Sequence, residues 1–260
     1  MPKKPNILYF HMHDAGRYIQ PYGHAITTPV MQRAAERGTL FRDCHCVTPS
    51  CSASRAALLT GMAPHKNGML GLAHRGWRLN DYSQHVVTPL KKQGYTTALS
   101  GVQHVASRPL DVSVIGYDQV LTTAGGYDQA SDPAIEFLGQ KQDQPFFLKV
   151  AYGAPHRAGE GFAKPDRLSP PADPRYIKPP DPLPDNKTTR ADMATYCDAV
   201  QGTDQAIGRV LEELEKNGHA QNTIVIITTD HGIAFPEMKC NLTHHGTGVH
   251  LTMFGPGVPE

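Results

Sequence analysis

The chain has 260 residues, 39% of them hydrophobic and 19% charged, with a formal net charge of +1. That is enough chain to bury a substantial core as one large domain, and the balance of charge gives no reason to expect nucleic acid or an anionic membrane surface as a partner. No apolar stretch approaches the roughly 20 residues needed to span a bilayer, and the opening Met1-Pro2-Lys3-Lys4-Pro5-Asn6 runs into a strand with no signal-peptide core.

Asn6 to Met12 is a near-continuous apolar run that ends in His13-Asp14-Ala15-Gly16. Such a run is the pattern of a buried parallel strand delivering polar residues at its carboxyl end. Thr28-Pro29 then opens a helix, with Thr28 as the cap and proline at the first helical position, and Gly38 closes it. Cys51 stands at the next junction of loop and helix, with Arg55 four residues on. Thr96 to Ser100 and Phe146 to Tyr152 read as further strands, each preceded by a helix. Lys164 to Pro184 carries eight prolines and reads as an extended surface loop placed to flank the mouth of a site. Met193, Tyr196, Cys197, Val200, Ile207, Val210, Leu211 and Leu214 follow helical spacing, so a long amphipathic helix is expected, ending at Gly218. Thr223 to Thr228 is the clearest strand and delivers Thr229-Asp230-His231-Gly232 at its end.

Alternating strands and helices predict an α/β domain, with a mostly parallel central sheet flanked by helices and ligands bound beyond the carboxyl ends of its strands. The polar clusters lie at those ends. The five cysteines, Cys44, Cys46, Cys51, Cys197 and Cys240, are odd in number and lack zinc-type spacing, so no disulfide framework is expected. Many of the fourteen histidines sit beside Asp, Gly or Pro at strand ends; His24, His45, His65, His219 and His250 are read instead as buried, satisfied core histidines.

A thiol at a helix N-terminus meets unpaired N–H groups and the positive end of the helix dipole, which stabilise negative charge on or near it. The run Cys51-Ser52-Ala53-Ser54-Arg55, followed by an Ala/Leu-rich turn and Thr60-Gly61, resembles the signature of type I sulfatases of the alkaline-phosphatase-like superfamily. The resemblance implies that a maturation enzyme oxidises Cys51 to formylglycine, whose hydrated aldehyde is the nucleophile. It also implies one divalent cation held by Asp14, Asp230, His231, the modified Cys51 and His13, where His13-Asp14 stands for the family's pair of aspartates. Calcium is the ion the resemblance favours, with manganese or zinc suited to the imidazole ligands. Arg55 and Lys239 match family cations around the sulfuryl group, His156 matches the histidine that protonates the leaving atom, and His104 matches a histidine able to deprotonate the second hydroxyl. Val102 stands where the family has a sulfate-binding lysine.

The segment Asn67-Gly68-Met69-Leu70-Gly71-Leu72 is similar to the heparan N-sulfatase branch, which implies a sulfated sugar as substrate, with His74 and Arg75 as contacts on the rim. Residues 1–260 are accordingly expected to be the N-terminal catalytic domain, with the family's smaller C-terminal domain absent. The compartment expected for the chain as it stands is the cytoplasm, or the periplasm or exterior if a leader is missing. Two other readings stay open: a formylglycine-dependent phosphonate or phosphodiester hydrolase, and an inactive fragment that binds sulfated glycans.

Overall fold

The computed structural model describes residues 4–107, 111–159, 161–165 and 170–259. Seven strands form the central sheet: β1 (Asn6–Met12), β2 (Thr39–Leu40), β3 (Thr96–Gly101), β4 (Gln119–Thr122), β5 (Phe146–Ala151), β6 (Thr223–Thr229) and β7 (Leu251–Phe254). Their order across the sheet is β2-β7-β6-β1-β5-β3-β4. The five strands from β6 to β4 run parallel, and β7 pairs antiparallel with both β6 and β2. The expected mostly parallel sheet is therefore present, and the strands read at 6–12, 96–100, 146–152 and 223–228 match to within a residue. The short edge strand β4 was not anticipated; its residues are exposed or half-buried, so it lacks the apolar run that marks an inner strand.

Helices cover both faces of the sheet. Leu8, Phe10 and Met12 of β1 point into a core shared with α1 (Pro29–Glu36), α4 (Tyr127–Gly139) and α5 (Lys187–Lys216). Tyr9 points to the opposite face, where α2 (Cys51–Thr60) supplies Ala53, Ala56 and Leu59 and α3 (Val87–Lys92) supplies Val87. This alternation is the period-2 geometry of a strand buried on both sides.

The long helix α5 starts at a capping box, in which the Asn186 side chain accepts from the Thr189 N–H and the Thr189 hydroxyl answers the Asn186 N–H. It buries Met193, Tyr196, Cys197, Val200, Ile207, Val210 and Leu214 along one stripe and stops just before Gly218, whose φ is 72°. Helix α1 corrects the sequence reading. Thr28 makes no side-chain cap; its hydroxyl accepts instead from the Gln20 N–H at 3.0 Å. The orphan N–H groups of Val30 and Met31 donate to the carboxylate of Asp204, buried on α5, at 3.1 and 2.8 Å. The cap thus comes from a residue 173 positions away in sequence, beyond the reach of any local pattern.

The strand ends are crowded. Gly101 closes β3 at φ 110°, where a Cβ atom would lie 2.0 Å from the Ala151 carbonyl oxygen, so only glycine lets the loop carrying His104 leave the sheet there. The described part of the proline-rich loop lies against Tyr18, His24, Met193 and His245 around a cavity of about 400 Å³; residues 166–169 of that loop are outside the described residues. All five cysteines are free, as expected. No helix among the described residues is long and apolar enough to cross a membrane.

Asp204→Ala should leave two helix-start N–H groups without an acceptor and lower stability by about 1–2 kcal/mol in denaturant unfolding; an unchanged midpoint would mean that α1 is held by packing alone.

Candidate active site

Strands β1 and β6 lie side by side in register, Met12 opposite Thr229, so the chain leaves the sheet at neighbouring points and brings Asp14 and Asp230 together. Asp14 turns in the left-handed region at φ 60°, a conformation that costs energy in a residue with a Cβ atom and that aims its N–H at Asp230 Oδ1, 2.8 Å away. The same oxygen accepts from the His231 N–H at 3.0 Å. Asp230 Oδ2 accepts from Arg55 Nε at 3.0 Å, and the Ser54 hydroxyl donates to the Asp230 carbonyl. Helix α2 is therefore locked onto the end of β6 by two residues of the Cys51 motif. Arg55 is wholly buried.

Asp14 is equally surrounded. His13 Nδ1 is 2.7 Å from its Oδ1 and 3.3 Å from Asp230 Oδ2, and Lys239 Nζ donates to Asp14 Oδ2 at 2.5 Å. His156 Nε2 lies 3.9 Å from Asp14 Oδ2, and its ring centroid is 4.3 Å from that of His13. Burial acts to raise the pKa of Asp14, but His13 and His231 outweigh it and hold the carboxyl below its usual range. For Asp230 burial is again opposed, here by His231, His13 and Arg55, and the pKa falls well below the ordinary value. Two fully buried carboxylates thus stay ionised side by side.

His231 shows what such a pair can hold. Its Nδ1 donates to the Gly232 carbonyl oxygen at 2.9 Å, which turns Nε2 toward Asp14 Oδ1 at 3.1 Å and Cys51 Sγ at 3.2 Å. Donor atoms of Asp14, Cys51, Asp230 and His231 all lie within 4.8 Å of one another, and a second set of His13, Asp14, Cys51 and His156 meets the same limit. The residues present therefore fit a divalent cation with mixed oxygen and nitrogen ligands.

The environment of Cys51 overturns one expectation. Burial, followed by the charges of Asp230 and Asp14, pushes its thiol pKa far up, so the helix dipole does not produce a thiolate. The helix start is instead a place where a neutral group faces two anions. Burial also pushes His156 down to about 4 and His104 down to about 3, so both imidazoles are neutral in the resting site. For Lys239 the charge of Asp14 outweighs burial and raises the pKa, keeping the ammonium charged.

The residues read as catalytic or metal-holding lie at this edge of the sheet. His104, at φ 53°, packs 5.7 Å from the His13 ring and pairs through Nε2 with His74 Nδ1 at 3.1 Å. His74 is exposed beside it. Val102 abuts Gly125, whose absent Cβ would meet Val102 Cγ2 at 2.4 Å. Two serines of the motif had not been singled out: Ser54 bonds Asp230, and Ser52 accepts from the Ala73 N–H at 2.9 Å. Of the five histidines read as core, only His250 is buried; His45 and His65 are exposed, and His24 and His219 are partly so.

The carboxyl edge of a parallel α/β sheet thus gathers two aspartates, an imidazole and flanking cations. Residues 5–259 match the family model described as Sulfatase, and the chain belongs to the sulfatase family. It is similar to human N-sulphoglucosamine sulphohydrolase, with 33% identity over 91% of this chain and 52% of that protein. Human N-acetylgalactosamine-6-sulfatase is 27% identical over 90% of this chain and 51% of its own length. The chain thus spans about half the length of the curated relatives it matches. A solved structure of a putative sulfatase from Bacteroides fragilis shares the fold, with a TM-score of 0.82 at 23% identity over 99% of this chain and 70% of that one.

Arg55→Met would leave Asp230 buried without its fixed counter-charge. Stability in metal-free protein should fall by about 3 kcal/mol or more, and an added divalent cation should restore part of the loss; an unchanged unfolding curve would remove the ion pair from its structural role.

Proposed function

We propose that this chain is the catalytic part of a formylglycine-dependent sulfatase that hydrolyses sulfate esters or N-sulfates of sugars. The observation that carries the reading is the convergence of Asp14, Asp230, His231 and Cys51 at one point, bordered by Lys239, Arg55, His104 and His156. The sugar substrate is supported by the names of the two human relatives, both of which are sulfatases of amino sugars.

Asp14, Asp230 and His231 would hold the divalent cation, with Cys51 as formylglycine and His13 beside them. When bound, the cation supplies Lewis-acid polarisation of the sulfuryl oxygens. The hydrated aldehyde supplies a hydroxyl nucleophile, which the thiol cannot provide in a site that keeps it protonated. Lys239 stays charged within 2.5 Å of Asp14 and supplies positive charge where a sulfuryl group would develop negative charge. Arg55 holds Asp230 from below and adds a fixed guanidinium to the same field. His156 is partly open to solvent and lies across Asp14 from the buried floor, in position to hand a proton to a departing oxygen or nitrogen. Its resting imidazole is neutral, so the proton enters when an anionic sulfate is alongside and favours imidazolium. His104 lies 5.7 Å from the His13 ring, where an imidazole could take a proton from the second hydroxyl.

Calcium remains our preferred ion, since two of the groups facing the site are carboxylates; restoring chelator-stripped protein ion by ion distinguishes it from manganese or zinc. A maturation enzyme is the implied partner. Protein made alongside such an enzyme should carry an aldehyde at Cys51 in peptide mass spectra, and should turn over sulfate esters faster than the matched phosphate esters. Active protein with an intact Cys51 thiol would refute the nucleophile, and preference for the phosphate ester would move the chain to the phosphodiesterase reading. Cys51→Ser should keep the fold and lose turnover.

His156→Ala should cost sugar sulfates about 100-fold or more in kcat, and nitrophenyl sulfate much less, because a phenolate leaves without a proton. Equal losses on the two substrates would take His156 out of the acid role.

A further inference from the structure

The loop that follows α2 carries features the hydrolytic site does not use. Between Gly61 and Asn80 the sequence has Lys66, Arg75 and Arg78 and no Asp or Glu. Arg75 and Arg78 are exposed, and no hydrogen bond or ion pair engages their side chains among the described residues. Between them stands Trp77, the single tryptophan of the chain, 44% exposed. The pyrrole side of its indole rests on Gly71, where a Cβ would lie 2.4 Å from Trp77 Cδ1 and Nε1, so the ring has a backbone seat and an open remainder. A large aromatic group left half in water beside two unpaired guanidinium groups is not explained by packing.

The loop is also held in register with the nucleophile helix. The Ala73 N–H donates to Ser52 Oγ one residue after Cys51, Asn67 Nδ2 donates to the Met62 carbonyl, and the Asn80 N–H donates to the Asn67 carbonyl. His74, which contacts His104, lies three residues before Trp77, a span of at most about 11 Å. The patch therefore lies within reach of a ring or two of sugar from the sulfate position.

We propose that Trp77, Arg75 and Arg78 form a subsite for a neighbouring ring of a sulfated oligosaccharide, the indole stacking on the apolar C–H face of the sugar and the guanidinium groups binding a sulfate on it. Arginine suits this task because its planar fork pairs bidentately with tetrahedral oxyanions and, lacking a carboxylate partner here, it does not need to break an ion pair first. The proposal rests on the sulfatase reading for the placing of the substrate, and it makes the enzyme one that acts on chains with more than one sulfate rather than on an isolated monosaccharide.

Because the tryptophan is unique, its fluorescence reports on this patch alone. Titration with a sulfated glucosamine-containing hexasaccharide should give a saturable change in emission, whereas inorganic sulfate should give none. Arg75→Gln with Arg78→Gln should weaken the hexasaccharide by about tenfold, and Trp77→Ala should raise its KM by about tenfold with kcat held. Trp77→Phe should recover most of that loss. Turnover of nitrophenyl sulfate should stay within about twofold in Trp77→Ala, Trp77→Phe and Arg78→Gln alone, since it has no second ring to lose. Hexasaccharide binding that leaves the emission unchanged, or an equal loss on both substrates, overturns the subsite, as does a hexasaccharide that does not bind. Failure of the unmutated, matured protein to hydrolyse nitrophenyl sulfate would instead count against the sulfatase reading, and the fluorescence titration would still decide the subsite.

Discussion

The carboxylate of Asp230 is the joint on which the site depends. Three donors from three parts of the chain converge on it: the Asp14 N–H from the end of β1, the His231 N–H from its own turn and Arg55 Nε from α2. One buried anion therefore fixes the relative positions of two strand ends and α2. Removing a charge from water at full burial is costly, and it is tolerated because every bond to Asp230 is a directed one. The arrangement also dictates the charge of what can bind. With Asp14 and Asp230 already matched by Lys239 and Arg55, an added divalent cation would leave a surplus of positive charge, which favours an anionic ligand beside it.

The same electrostatics bear on Cys51. Catalytic thiols elsewhere are activated by cations or helix dipoles, whereas the Cys51 thiol faces two carboxylates and His231 Nε2. A thiolate here would be repelled by the carboxylates of Asp14 and Asp230. On the proposed reading, a hydrated aldehyde at Cys51 would be neutral and would escape that conflict.

Much of this was legible in the chain itself. The strands ending at Met12, Ala151 and Thr229 are apolar runs closed by polar residues, and period alone locates them. That these ends meet followed from parallel pairing, which also collects His104 and His156 at one edge. What escaped the sequence is whatever depends on distant partners. Asp204 looks like one more polar residue on a long helix until its carboxylate is seen under the start of α1. Thr28 has the right identity for a cap, yet its hydroxyl is taken by Gln20. The helix-dipole argument for Cys51 was sound locally and lost to two carboxylates contributed from β1 and β6. The histidines were hardest, since an imidazole suits core, surface and site alike. Five were read as core and one is buried there.

The central claim is that Asp14, Asp230 and His231 make a cation site out of buried charge. The most direct measurement is calorimetric titration of chelator-stripped protein with calcium and with manganese, run in parallel on the Asp230→Asn variant, which keeps the shape of the carboxylate and removes its charge. The account predicts binding of one ion per chain in the unmutated protein and its loss in the variant at unchanged helix content. Equal ion binding in both proteins, or none in either, would contradict it.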